Sequence, residues 1–262
     1  MAEAPILTDR EGGIVRLRLN RPAALNALDQ AMAEALHAAV EGLAVDPSVR
    51  CVVLLGEGRG FMAGGDIRLF HAAGPDAPAV IGRLIEPFHA ALRRLAALPA
   101  PVIAALHGPV AGAGMSLAMA ADLAVAAEDA RFVLAYLRLG ISPDGGATWT
   151  LPRLVGLRRA MSIALLGEEI DARGALDLGL VNRVVPNAGL EAETMGLARR
   201  LAAGPSRAIG RTKALLRASL DRTLEAQLDA ERDAFLAGAA TEDFAEGVAA
   251  FLGRRTPSFV GR

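Results

Sequence analysis

Residues 101–122 read PVIAALHGPVAGAGMSLAMAAD: an apolar run, a pair of glycine-bearing turns, then an alanine-rich segment of helical composition. The run PVIAALHG (101–108) has no polar/apolar alternation and is bounded by proline and glycine, the pattern of a short strand covered on both faces. Such strands occur where helices pack on both sides of a mostly parallel sheet, so this stretch places the chain in the α/β class. CVVLLGE (51–57) and LAVAAE (123–128) have the same character. GIVRLRLN (13–20) differs, because Val15, Leu17 and Leu19 alternate with Arg16 and Arg18, as in a strand with one wet face.

Between these runs the period is helical. In DQAMAEALHAAVEGLAVD (29–46), Met32, Leu36, Val40 and Leu43 fall on one stripe and Asp29 is the N-cap. Strand and helix alternate to about residue 185, which implies crossover connections. LEAETMGLARRLAAG (190–204), SRAIGRTKALLRASL (206–220) and TLEAQLDAERDAFLAG (223–238) are amphipathic helices broken at Gly204-Pro205 and Asp221. The expected organisation is an α/β core over 1–200 and a C-terminal helical region over 201–262, serving as a lid or an assembly surface.

Composition narrows the function. The 262 residues are 53% hydrophobic and only 4% aromatic, so the core is built from Ala, Leu and Val. Lys plus Arg number 28 and Asp plus Glu 29, a net charge of −1, so no overall field draws in nucleic acid. Cys51 is the single cysteine, which rules out a disulfide framework and fits a reducing compartment. The start MAEAPILTDREGG lacks a signal pattern and no apolar stretch is long enough to cross a bilayer, so a cytoplasmic protein without membrane contact is expected. His37, His71, His89 and His107 lack metal-ligand spacing with one another or with Cys51, so no metal is expected.

Several motifs fail. Gly112-Ala113-Gly114 lacks the third glycine and the acidic residue of a dinucleotide site, and Ser116 in Gly-Met-Ser-Leu-Ala is not a nucleophile elbow. Two loops remain, GEGRGFMAGGDIRLF (56–70) and HGPVAGAGMS (107–116). Each follows a buried strand and leads into a helix, so small residues let main chain approach a ligand and leave amides pointing at it. A pair of such amides holds a developing oxyanion.

Taken in order, LNRPAALNAL (19–28), FMAGGD (61–66), PVIAALHGPVAGAGMSLAMAAD (101–122), GISPDGGATWTLPRLVG (140–156), ALDLGLVNRVVP (175–186) and FLGRRTPSF (251–259) resemble the crotonase (enoyl-CoA hydratase/isomerase) superfamily nearly end to end. The resemblance implies a spiral of ββα turns, a homotrimer or homohexamer, and an acyl-CoA thioester as substrate with no separate cofactor. It assigns the oxyanion amides to Met62 and Ala113. It places Gly60, Ala63, Gly64, Ile67 and Gly112 in the walls of the substrate site, and adenine against Ala24, Gly60 and Met62. Arg21 and Arg68, with Phe251 and Arg254 from a neighbouring subunit, hold the coenzyme, and Asp66 braces the loop.

Family hydratases activate water with two glutamates. Ser116 and Tyr136 stand at those positions here, and neither is a base near neutral pH. Pro143-Asp144-Gly145-Gly146, read alone, is an ordinary surface turn. In the isomerases that this stretch resembles, and in the 4-chlorobenzoyl-CoA dehalogenases, an aspartate stands at the place of Asp144. The expected activity is therefore an acyl-CoA isomerase in which Asp144 moves a proton, with Leu137, Leu139, Ile141 and Trp149 as an apolar wall. His89 lies where the dehalogenases keep a base. A hydratase, hydrolase or dehalogenase using Asp144, and a catalytically silent acyl-CoA-binding subunit, are the alternatives.

Overall fold

In a computed structural model that describes residues 4–262, the apolar runs become the centre of a six-stranded sheet. Its spatial order is β1 (Ile6–Glu11), β2 (Ile14–Leu19), β3 (Cys51–Gly56), β4 (Val102–Leu106), β6 (Leu123–Ala127) and β9 (Arg183–Val185). β1 is antiparallel to β2, and every pairing from β2 onward is parallel. A second sheet joins β5 (Pro109–Ala111), β7 (Arg131–Val133) and β8 (Ile170–Asp171). This is the crotonase-like α/β architecture that the motif order implied.

Successive side chains of a strand point to opposite faces, and here each face has its own core. Val102, Ala104 and Leu106 of β4 join Val52, Leu54, Leu17 and Leu19 in the larger cluster. That cluster is covered by α1 (Gln30–Ala44) and α3 (Ala77–Ala97). Ile103 and Ala105 join Cys51, Val53 and Val125 on the other face, closed by Met195 and Ala198 of α8 (Leu190–Ala202). Burial on both sides explains the unalternating hydrophobicity of these runs. It also pushes the Cys51 thiol up to about 12, with the Asp122 charge adding to the effect, so the sulfur behaves as a small apolar side chain.

The alternation in β2 is matched too: Arg16 and Arg18 leave the core and pair with Asp9 on β1. α1 begins at Asp29, whose carboxylate accepts the Met32 N–H at 2.8 Å. Among the described residues, no helix is long and apolar enough to cross a membrane.

Beyond α8 the chain continues as α9 (Ser206–Ser219), α10 (Leu224–Ala239) and α11 (Glu242–Leu252). α9 is anchored by a buried ion pair. Lys213 Nζ lies 2.7 Å from Asp122 Oδ2 and also donates to the Leu95 and Ala100 carbonyls at 3.3 and 3.2 Å. Asp122 in turn accepts the Val102 N–H at 2.8 Å and meets Arg217 at 2.8 Å, so one carboxylate ties α9 to the start of β4. Burial lowers the Lys213 pKa and the charge of Asp122 opposes that. Removing one partner of a buried pair leaves the other uncompensated. Lys213→Ala should cost about 3 kcal/mol in urea unfolding, and Lys213→Met, which keeps the stem in place, should cost less.

Candidate active site

The site forms where two loops leave the carboxyl ends of β3 and β4, the edge at which parallel sheets present ligands. Their main chains touch. A Cβ on Gly108 would fall 2.2 Å from the Arg59 carbonyl oxygen, and one on Gly114 would fall 2.2 Å from that of Met62. Only glycine fits either position.

Behind the first loop sits a fully buried Asn26. Its Nδ2 donates to the carbonyls of Glu57, Gly60 and Phe61 at 2.9, 2.9 and 3.1 Å, and its Oδ1 accepts the Arg21 N–H at 2.8 Å. Asn26 and Leu25 both have left-handed φ angles, 56° and 50°. Sequence reading passed over this residue, and its one signal was an asparagine, the type that tolerates such a backbone, inside a turn.

Hydrogen-bond accounting corrects one assignment. The Met62 N–H donates to the Pro109 carbonyl at 3.1 Å, and the Met62 carbonyl accepts the Ala111 N–H at 2.9 Å. Met62 is fully buried and its amide is committed to joining the loops, so it is not a free oxyanion donor. Ala63 N–H is taken by Leu25 and Asp66 N–H by Leu28, which itself donates to the Gly64 carbonyl. Among the described residues, the amides of Gly64 and Gly65 have no acceptor. Because the Gly64 carbonyl and the Asp66 N–H both face Leu28, the Gly65 N–H between them faces away from it.

On the second loop, α4 (Ala113–Ala120) starts after Gly112 without a side-chain cap. The first amides of a helix have no intrahelical acceptor, which leaves the Ala113 N–H free. A Cβ built on Gly64 would lie 3.8 Å from the Ala113 nitrogen, so the loops bring their amides side by side.

Asp144 lies beside Ser116 of α4 and Tyr136, which sits in a 3-10 segment, Ala135–Leu139. Tyr136 O–H donates to Asp144 Oδ1 at 2.6 Å, and Ser116 Oγ donates to the Asp144 main-chain carbonyl at 3.0 Å. The two hydroxyls are 3.2 Å apart. Burial, then the Asp144 charge, raises the Tyr136 pKa far above its ordinary value, so the phenol stays protonated and donates.

His89, on α3, accepts the Gly145 N–H at its Nε2 at 3.1 Å, and the same nitrogen lies 3.6 Å from Asp144 Oδ2. The Nε2 lone pair is engaged by the Gly145 amide, so His89 holds the main chain of the turn and makes no hydrogen bond to the carboxylate. Gly145, with φ 60°, has no room for a Cβ, which would lie 2.8 Å from Ser116 Cβ.

The coenzyme candidates divide. Arg21 pairs with Asp29 at 3.2 Å and Asp66 at 3.1 Å and is spent inside the loop. Asp66 also caps α2 (Ile67–Ala73) through the Arg68 and Leu69 amides. Burial works to raise the Asp66 pKa, but Arg21 and those amides outweigh it and the net shift is downward. Arg68 and Ile67 are exposed, and among the described residues Arg68 has no carboxylate partner. Ala24 is half-buried, whereas Gly60 is closed off against Pro109.

α5 (Ala147–Val155) buries Ala147, Leu151 and Val155, and Trp149 lies on its outer face with the Arg153 guanidinium 3.9 Å above its ring. Leu137, Leu139 and Ile141 are also largely exposed. Phe251, 83% exposed, lines the groove between α9, α10 and α11, and the Arg254 N–H donates to its carbonyl just after α11; among the described residues neither bonds to either loop.

A profile of the enoyl-CoA hydratase/isomerase family matches residues 9–262. The chain belongs to that family. Within the family, the 1,2-epoxyphenylacetyl-CoA isomerase of Escherichia coli K12 is 41% identical over 259 residues, 98% of each chain. The 2,3-dehydroadipyl-CoA hydratase of the same organism is 39% identical over 257 residues, 98% of this chain and 99% of the other. A crystal structure of an enoyl-CoA hydratase from Polaromonas sp. JS666 superposes with a TM-score of 0.93 at 38% identity, covering 97% of this chain and 99% of that one. The family acts on acyl-CoA esters, and its members include both isomerases and hydratases.

Gly145→Ala should push the Asp144 turn off Ser116. Turnover of an acyl-CoA ester is expected to fall at least about tenfold, because small misplacements of reacting groups are costly, while the thermal melt stays cooperative. Wild-type turnover in that variant would show that the turn tolerates the shift.

Proposed function

We propose that this chain is an acyl-CoA isomerase that moves a proton through a thioester enolate. One observation carries the reading: the hydroxyls of Ser116 and Tyr136, at the two positions where hydratases of the family carry acids, are both spent on Asp144. Neither residue is an acid, and Asp144 is the carboxylate left to do chemistry.

In this reading the thioester oxygen is held by the Ala113 N–H and, in place of Met62, by the Gly65 N–H. Loss of one such donor costs about 3–4 kcal/mol of barrier. The C2–H bond of a 3-enoyl ester breaks, its electrons pass into the enolate, and the proton rests on Asp144. The enolate then collapses toward C4, the double bond moves to C2–C3, and the carboxylate gives the proton to C4. Atoms and charge balance without water or a cofactor; coenzyme A enters only as part of the substrate. Of the two loop arginines expected to hold the coenzyme, Arg68 is the one left without a carboxylate partner and the candidate for its phosphates. The exposed faces of α10 and α11, with Phe235, Phe244 and Phe251, are the assembly surface of a homotrimer or homohexamer. In that assembly Phe251 and Arg254 reach a neighbour's site.

Incubation with a 3-enoyl-CoA, followed by the ultraviolet absorbance of the conjugated 2-enoyl thioester and by mass spectrometry for added water, tests the reaction class. The expected product is the 2-enoyl-CoA, and Asp144→Asn should lower kcat by about 10²–10⁴-fold with ester binding retained. A 3-hydroxyacyl product would make the chain a hydratase. Ester binding without turnover, on this probe and on a ring-epoxide phenylacetyl-CoA, would make it a binding subunit. Sedimentation that finds only monomer would remove the assembly surface.

A further inference from the structure

Residues 141–144 belong to no helix or strand, so no backbone ladder sets the direction of the Asp144 side chain. Three side chains from three separate elements do so instead. Ser116 of α4 holds the Asp144 main-chain carbonyl at 3.0 Å, and His89 of α3 holds the Gly145 amide at 3.1 Å. Among the described residues Tyr136 alone hydrogen-bonds the carboxylate group, at 2.6 Å; His89 stands 3.6 Å from Oδ2, beyond hydrogen-bond reach.

The tyrosine also touches the opposite side of the site. Its Cζ lies 4.0 Å from where a Cβ on Gly112 would be, next to the Ala113 amide. Its ring is buried with 8% exposure, and its hydroxyl is bonded at the far end.

On the footing of the isomerase reading, we infer that Tyr136 is a positioning residue: it occupies Oδ1 and leaves Oδ2 as the single oxygen that carries the proton, held at a set distance from the Ala113 amide. An aspartate without this bond turns about its terminal torsion, which is broad and roughly two-fold, and exchanges its two oxygens. A proton carried on a turning carboxylate meets solvent before it meets C4. With Oδ1 pinned, the proton taken from C2 returns to the same substrate. The tyrosine therefore governs where the proton goes as well as how fast it moves.

The test follows the label. A 3-enoyl-CoA deuterated at C2 is converted in H₂O, and deuterium at C4 of the product is counted by mass spectrometry alongside kcat and KM. Wild type should keep a measurable share of the label. Tyr136→Phe, which preserves the ring and its packing, should lower kcat by about 10–100-fold, leave KM within about twofold, and lose most of the transferred label. A Tyr136→Phe enzyme with wild-type kcat and retention overturns the inference.

Asp144→Asn, assayed beside it, separates two failures. If that variant still isomerises, the shuttle itself is wrong; if it is silent while Tyr136→Phe is normal, only the positioning role is wrong. Tyr136 is the one tyrosine of the chain, so uniform 3-fluorotyrosine labels this position alone and gives a readout that needs no loss of packing. Its fluorine resonance should move on Asp144→Asn, and an unmoved resonance also overturns the inference.

Discussion

Gly108 and Gly114 have no side chains, and the carbonyls of Arg59 and Met62 fill the space that side chains would take. That contact joins the loop after β3 to the loop after β4, main chain against main chain. The Met62 amide and carbonyl complete the seam by bonding Pro109 and Ala111. Everything functional is referred to it. Ala113 starts α4 on one side, the free glycine amides lie on the other, and Asn26 fastens the seam to the loop that carries Arg21. A side chain at either glycine would push the two loops, and with them their free amides, apart.

Much of the scaffold was legible because burial leaves a simple mark. β3, β4 and β6 each face two cores and read as unbroken apolar runs, whereas β2 with its arginines alternates. β1, and the two- or three-residue strands of the second sheet, carry no such mark. Their pairing is decided by neighbours far away in sequence, and two residues cannot show a period. α8 reads as an amphipathic helix, but nothing in 190–204 says that its apolar stripe closes the second core.

At the site, residue types were legible and their partners were not. The motif FMAGGD marks a loop with available amides, yet which amide stays free depends on Pro109 and on Leu28, which lie outside it. Asp66 and Arg21 show the same limit. Arg21 suits a phosphate site on charge alone, yet it spends that charge on Asp66 and Asp29 inside the loop. Ser116 and Tyr136 were visible as departures from a two-acid pattern, whereas their joint hold on Asp144 exists only once α4 and the 3-10 segment are folded together.

The Asp144 turn is held by side chains from α3, α4 and the 3-10 segment and by little regular backbone. A single substitution at position 89, 116 or 136 alters the reach, the orientation or the company of the carboxylate without disturbing one strand of the sheet. The fold therefore keeps the seam and its free amides apart from the turn that carries the carboxylate. One scaffold held this way can diverge in chemistry through a few side-chain changes, because none of the three belongs to a strand of the sheet.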